Sequence, residues 1–123
     1  MNTVSTKKAP EAIGPYSQAI VINGFIFTSG QIALTSEGEF LDKDIRIQTE
    51  QVLKNLSEIL KQGGSSLSKV IKTTIFLTDI DDFIVVNEVY AKAFGEHKPA
   101  RSTVCVKSLP KNAKIEIEAV GII

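Results

Sequence analysis

The sequence predicts a single α+β domain, in which one mixed, mostly antiparallel sheet of five to six strands has two helices on one face. The 123 residues suffice for one domain with a core but not for two ordinary ones, so the predicted domain spans 1–123. Segments in which apolar and polar residues alternate predict strands near both ends of the chain. Two segments with apolar residues three and four apart predict amphipathic helices.

Composition excludes several classes of protein. Hydrophobic residues make up 43% of the chain and 14 basic residues balance 14 acidic ones, so we expect neither a disordered chain nor a nucleic-acid-binding surface. No apolar run of about 18 residues predicts a membrane helix, and the first residues lack the features of a signal peptide, so we expect a cytoplasmic protein. One cysteine and one histidine predict neither an internal disulfide nor an ordinary zinc site.

The first strands form a predicted hairpin. The first ten residues contain a possible edge strand followed by charged coil. Two apolar runs, Ile20–Ile22 and Phe25–Ile32, flank Asn23-Gly24, a dipeptide that suits a type I′ turn because both central residues of that turn need positive φ. Gly30 indicates either a close approach of the backbone to another group or a simple bulge.

Two helices follow, separated by a strand. Asp44 is placed to cap the first helix, and a Gly-Gly pair ends it. Its predicted buried stripe consists of Ile45, Val52, Leu53, Leu56, Ile59 and Leu60. After a strand at Val70–Thr78, Asp79 or Asp81 caps a second helix that Gly95 ends. The predicted apolar positions of that helix are Phe83, Val86, Tyr90 and Phe94.

The last two predicted strands are Lys98–Val106 and Lys114–Ala119. A short, turn-like connector at Leu109–Asn112 predicts that they are neighbours in an antiparallel pair. That pairing would hold Arg101 and Glu116 on a common surface. A guanidinium binds a carboxylate through two parallel hydrogen bonds and a glutamate can activate a water, so the pair predicts a site for a small organic acid.

The second face of the sheet needs a cover. Two helices of about five and four turns cover only one face of five or six strands. The other face alternates apolar and polar side chains, which favours burial against other copies of the same chain. We therefore expect a homo-oligomer.

Each candidate residue also has a purely structural explanation. Arg101 is, in that interpretation, one partner of a surface ion pair, and Glu116 and Glu118 are the solvated side of an alternating strand. Tyr16 either plugs a Gly-Pro turn or lines a pocket. Asn87, predicted to be buried on the second helix, either holds a neighbouring loop or faces a ligand.

Four further residues receive mainly structural interpretations. Ser29 and Gly30 are most simply residues at the end of a strand. Cys105 is interpreted as a small core residue, because no neighbouring base or helix N-terminus is predicted to activate its thiol. His97, just past a helix end, is expected to be exposed. The chain contains no Gly-rich phosphate loop, nucleophile elbow or paired metal-ligand motif.

Five motifs follow one another along the chain. They are Gly14–Ala19, Thr28–Ile32, Asp82-Phe83 with Asn87–Tyr90, Pro99–Ser102, and Leu109-Pro110 with Ile115–Ala119. In order and spacing they resemble the Rid family of reactive-intermediate deaminases, also called YjgF-type proteins, over essentially the whole chain. The resemblance implies a chorismate-mutase-like fold and a homotrimer with sites between subunits. It also implies hydrolysis of 2-imino acids, such as 2-iminobutanoate and 2-iminopropanoate, to 2-oxo acids and ammonia, with no cofactor.

The resemblance also assigns roles. Arg101 is similar to the family arginine that clamps the substrate carboxylate, and Glu116 to the acidic residue beside the attacking water. The cleft is lined, by the same resemblance, by Tyr16, Ser29, Gly30 and Asn87. The chain departs from the archetypal deaminases at Thr103, where those proteins often have cysteine. A hydroxyl there still forms hydrogen bonds, so the change bears on substrate preference and rate.

Two other functions compete with imine hydrolysis. A non-catalytic protein of the same fold that binds small carboxylates, as a regulator or a chaperone-like protein, would use the same Arg101 site. Cleavage of RNA is less favoured, because the chain has no net charge and a single histidine.

Overall fold

A computed structural model describes residues 1–123 and contains six strands and two α-helices. The strands are β1 Asn2–Val4, β2 Ala19–Ile22, β3 Phe25–Thr28, β4 Val70–Leu77, β5 Ala100–Cys105 and β6 Ile115–Ile122. The helices are α1 Ile45–Gln62 and α2 Phe83–Phe94. The predicted α+β architecture, with six strands in one sheet and two helices, is confirmed.

The strand order corrects one prediction. The sheet runs β1-β2-β3-β6-β4-β5, and every pair is antiparallel except β4 with β5, which is parallel. The last two strands are therefore not neighbours, because β4 lies between them. The helix α2 connects β4 to β5 as a crossover, which is how parallel strands are joined, and β6 occupies the other edge of β4.

Local sequence chemistry accounts for the turns and caps. Asn23 and Gly24 have φ values of 51° and 80°, as a type I′ hairpin turn requires. The Asp44 carboxylate accepts a hydrogen bond from the backbone N–H of Ile47 and so caps α1. Asp79 caps not α2 itself but a short 3-10 turn that leads into it, by accepting from the backbone N–H of Asp81.

The core lies between the two helices and one face of the sheet. Every residue of the predicted α1 stripe is buried, which confirms it. The strands contribute Ile26, Ile75, Leu77, Ile115 and Ile117, all with no exposed surface. Burying each such side chain stabilises the fold by about 1.5–3 kcal/mol before entropy is counted. No helix combines the length and apolar character needed to cross a membrane.

The opposite side of the sheet, which we name the open face, has no element packed on it in the chain. The register places on it Ile20, Ile22, Phe25, Phe27, Lys72, Thr74, Phe76, Ser102, Val104, Glu116, Glu118, Val120 and Ile122. Five of its large apolar side chains are exposed, namely Ile22, Phe25, Phe27, Val104 and Ile122. Exposed apolar surface of this extent is typical of an interaction surface.

Candidate functional site

Arg101 lies at the edge of the sheet, on the side that faces the helices. It pairs in register with Thr73 of β4, a residue that is only 1% exposed beneath α2. The Nη1 of Arg101 donates a hydrogen bond to the Asn87 Oδ1 at 2.8 Å. The guanidinium carbon also lies 5.2 Å from the centre of the Phe83 ring and 5.0 Å from that of Tyr90. A side chain on the outermost strand is thereby held by three contacts with α2.

Arg101 and Asn87 border a cleft of about 400 Å³, which we name the Arg101 cavity. Its other lining residues are Tyr90, Ala91, Phe94, Gly95, His97, Lys98 and Pro99. No carboxylate lines this cavity. A bound carboxylate would therefore meet donors and cations without a repelling acidic group, which is what an anionic ligand needs.

Glu116 belongs to a second cleft of about 340 Å³, which we name the Glu116 cavity. The cavity is lined by Pro10, Glu11, Ile13, Tyr16, Gln18, Gly30, Gln31, Ile32, Leu34, Pro110, Lys111 and Glu116. A methyl group on Gly30 would lie 2.2 Å from the Glu116 Oε2. Of the two explanations for this glycine, the close approach is thus the one that the structure shows.

The environment of Glu116 suits a proton acceptor. Burial raises the pKa of its carboxyl above the usual 4.5, and the nearby charge of Glu118 raises it further. A carboxylate with a pKa nearer to neutrality is a stronger base than an ordinary surface glutamate. Glu118 lies on the same face but is exposed, so Glu116 is the glutamate of this strand that borders a cavity.

Arg101 and Glu116 do not share a surface within one chain. Their register partners on β4, Thr73 and Phe76, are three residues apart, and side chains separated by an odd number of strand positions point to opposite faces. Arg101 thus projects on the helix side and Glu116 on the open face. The prediction of a common surface is wrong for the single chain, because it rested on the pairing of β5 with β6.

The other predicted site residues divide between these places. Tyr16 is 54% exposed and lines the Glu116 cavity. The Ser29 hydroxyl donates to the Ser17 carbonyl, so it holds the loop before β2. Thr103 is half-buried and points to the same side of β5 as Arg101, but it lines neither cavity. Asn87, predicted to be buried, is exposed and accepts from Arg101.

Two further expectations change. Cys105 is exposed rather than in the core, because β5 is the outermost strand and its last residue has no element beyond it. His97 is half-buried rather than exposed, and its Nε2 is hydrogen-bonded to the Val70 carbonyl. That contact ties the loop after α2 to the first residue of β4.

Some residues that contact Arg101 or line a cavity were not identified as site residues from the sequence. Phe83 and Tyr90 were interpreted only as core positions, although their spacing around Asn87, at i, i+4 and i+7, places all three on one side of α2. Lys111 was seen only as part of a connector. It lines the Glu116 cavity with a φ of 56°, a conformation that residues other than glycine rarely adopt.

Chemically, the two cavities present different groups. The Arg101 cavity presents a held guanidinium, which suits an anionic ligand, and the Glu116 cavity presents a half-buried carboxylate, which suits a proton acceptor. No group of three or more His, Cys, Asp or Glu side chains is arranged to hold a metal ion.

Comparison with known proteins gives one family. The model of the family described as Endoribonuclease L-PSP matches residues 6–123. Reactive Intermediate Deaminase A, chloroplastic, of Arabidopsis thaliana is 56% identical over 119 residues, covering 96% of this chain and 64% of the plant protein. The human 2-iminobutanoate/2-iminopropanoate deaminase is 48% identical over 120 residues, covering 97% of this chain and 88% of the human protein.

Solved structures agree with these relatives. Escherichia coli TdcF, crystallised with bound serine, has a TM-score of 0.95 and 41% sequence identity, with 100% of this chain and 99% of that chain covered. The two backbones thus follow the same course over their whole length.

Proposed function

Since the chain belongs to the Rid family, we propose that it hydrolyses 2-imino acids to 2-oxo acids and ammonia. Among the structural observations, the support comes chiefly from Arg101, whose guanidinium is held by α2 at the border of a cleft without carboxylates. The substrates we propose are short imino acids such as 2-iminobutanoate and 2-iminopropanoate. The serine bound to the E. coli relative is an amino acid of similar size.

In the proposed reaction Arg101 binds the substrate carboxylate through two parallel N–H···O bonds, which holds the imine carbon beside a water molecule. Glu116 accepts a proton from that water as the oxygen bonds to the imine carbon. Starting from the protonated imine, this addition leaves a neutral carbinolamine, C(OH)NH2, and a protonated Glu116. Glu116 returns its proton to the nitrogen, and the C–N bond breaks with its electron pair leaving on ammonia. The hydroxyl oxygen gives up its proton to Glu116, and the O–H electron pair becomes the second bond of the carbonyl in the 2-oxo acid.

We further propose that the Arg101 cavity and the Glu116 cavity are two half-sites of one active site, and that they come from different copies of the chain in a homotrimer. Arg101 and Glu116 face opposite sides of one sheet, so a single copy cannot place both around one small molecule. The exposed apolar side chains of the open face give a second copy a surface to bury. Tyr16, Gly30 and Glu116 would then meet Arg101, Asn87 and Thr103 of a neighbour.

The test of the activity is an imine-trapping assay. A pyridoxal-phosphate-dependent dehydratase releases 2-iminobutanoate from threonine, and semicarbazide traps whatever imine survives. We expect the protein to accelerate the loss of trappable imine. In the Arg101→Ala variant the rate of this reaction should fall about a hundredfold or more, because the variant lacks the bidentate contact with the substrate carboxylate. Its oligomeric state should stay unchanged by light scattering.

The same assay separates catalysis from simple binding. A wild-type protein that binds 2-oxobutanoate yet leaves the rate of imine loss unchanged would be a carboxylate-binding protein, the regulatory alternative. Arg101→Ala with near-normal activity would rule out the proposed clamp.

A further inference from the structure

Three side chains on successive turns of α2 hold the Arg101 guanidinium. Asn87 accepts one hydrogen bond from Nη1, while the rings of Phe83 and Tyr90 lie 5.2 and 5.0 Å from the guanidinium carbon. Both distances are within the range at which a cation is attracted to the face of an aromatic ring. The guanidinium has no other hydrogen-bond partner in the chain, so the N–H groups of Nε and Nη2 are free to bind a carboxylate.

Tyr90 is itself fixed by the sheet. Its hydroxyl is hydrogen-bonded to the Thr73 hydroxyl at 2.6 Å, and the two residues are 7% and 1% exposed. A phenol is protonated at neutral pH, and burial raises the pKa of Tyr90 further, so its hydroxyl keeps the proton that this hydrogen bond involves. Thr73 is also the register neighbour of Arg101 on β4. The strand that anchors the ring therefore also pairs with the strand that bears the guanidinium.

We propose that Tyr90 is a positioning residue for carboxylate binding, which holds the Arg101 guanidinium by its ring face and is itself held by Thr73. The inference rests on the proposed function of Arg101 as the carboxylate clamp. An arginine on an edge strand has many rotamers, and an arginine held in advance loses less freedom when a ligand binds. Phe83 contributes a second ring, while Asn87 engages Nη1 and leaves the Nε and Nη2 donors for the ligand.

The test compares two substitutions of the same residue. Tyr90→Phe keeps the ring and removes the hydroxyl, whereas Tyr90→Leu removes the ring. By titration calorimetry with 2-oxobutanoate, we expect Tyr90→Leu to raise Kd about three- to fivefold, the loss of one cation–π contact, and Tyr90→Phe to stay within about twofold of wild type. In the imine assay KM should rise by the same factor, while kcat changes less.

Two more variants make the comparison decisive. Val86→Ala truncates a fully buried residue of the same helix that lines neither cavity. It should lower the stability of the protein, as the loss of the Tyr90 ring does, and leave the Kd for 2-oxobutanoate unchanged. Phe83→Leu removes the other ring and should also raise Kd about threefold. If Tyr90→Leu does not fold, Tyr90→Met, which fills more of the ring's volume without an aromatic face, takes its place in the comparison.

An unchanged Kd for 2-oxobutanoate in a folded Tyr90 variant without the ring overturns the inference. An equal rise of Kd in Val86→Ala also overturns it, because that rise would show a general effect of destabilisation. A wild-type protein that binds 2-oxobutanoate but hydrolyses no imine removes the proposed activity, while the comparison of Kd values still decides the role of Tyr90. A wild-type protein that binds no 2-oxobutanoate overturns both.

Discussion

Glu116 acquires its chemistry from neighbours that are distant in the sequence. Gly30, two residues after the end of β3, lies so close to the carboxylate that no side chain fits there, and the glutamate is half-buried. Alternation along β6 placed Glu116 and Glu118 on one face but did not distinguish them. Burial under Gly30 and the wall of the cavity distinguishes them.

Gly30→Ala should therefore impair the reaction without changing any charged group. A Cβ at that position would lie 2.2 Å from the Glu116 Oε2, so the carboxylate has to move. Displacing a catalytic base by about 1 Å costs on the order of a hundredfold in rate, so we expect kcat/KM to fall by roughly 10- to 100-fold. Gly38→Ala, in an exposed loop outside both cavities, strains the backbone because Gly38 has a φ of 86°, so it controls for a loss of stability without a change at Glu116. Wild-type kcat/KM in Gly30→Ala would exclude Glu116 as the base.

The pH dependence of activity tests the same carboxylate. A base must be ionised, so kcat/KM should fall as the pH drops through the pKa of Glu116. Because the charge of Glu118 raises the pKa of Glu116, Glu118→Gln should move this acidic limb to lower pH. Adding salt to the wild type should move it the same way by screening Glu118. Glu37→Gln, in an exposed loop, should leave the limb in place; a limb unmoved in Glu118→Gln would contradict the assignment.

At the scale of elements, the two helices have different tasks. The α1 helix mainly supplies core, with a buried stripe along its length and one lysine in its last turn. The α2 helix supplies core on one side and, on another, the three side chains that hold Arg101. It also forms the crossover that makes β5 parallel to β4. Without that crossover Arg101 would have no helix beside it.

The cap of α1 can be tested apart from the site. Asp44→Ala removes the acceptor for the Ile47 N–H and should lower the free energy of unfolding by about 1 kcal/mol. The corresponding fall in Tm is roughly 3–6 °C at fixed protein concentration. Asp42→Ala, which removes an exposed carboxylate with no hydrogen-bond partner, is the control. Equal Tm values for the two variants would show that the cap is unimportant.

At the scale of the whole molecule, the strand order separates the two halves of the proposed site. Arg101 is on an outer strand facing the helices, and Glu116 is on a central strand facing away from them. Within one chain, the proposed clamp and the proposed base therefore cannot act on the same small molecule. The proposed trimer resolves this by placing one copy's open face and Glu116 cavity against the edge of another.

Mixing two inactive variants tests that arrangement. Arg101→Ala lacks the clamp and Glu116→Gln lacks the base, so each alone should be nearly inactive. If each site joins Arg101 of one copy to Glu116 of the next, random assembly from equal amounts gives about a quarter of sites with both groups. We expect co-refolded mixtures to recover about that fraction of wild-type activity. Activity no greater than that of the separate variants would contradict a shared site.

Local pattern was enough to predict the elements. The period of the α1 stripe, the Asn23-Gly24 turn and the Asp44 cap each depend on residues within a few positions of one another, and the structure confirms all three. The sequence also singled out Arg101 and Glu116 as site residues, and the structure places each of them at the border of a cavity.

Only the tertiary structure decided which strands are neighbours and which faces their side chains occupy. A short connector predicted that β5 and β6 pair, yet each lies on a different edge of β4, since the crossover through α2 places β5 along one edge of β4 and β6 pairs with the other. The exposure of Cys105 and the separation of Arg101 from Glu116 follow from that order. Pairing between distant segments is set by the packing of the whole core, and no local periodicity encodes it.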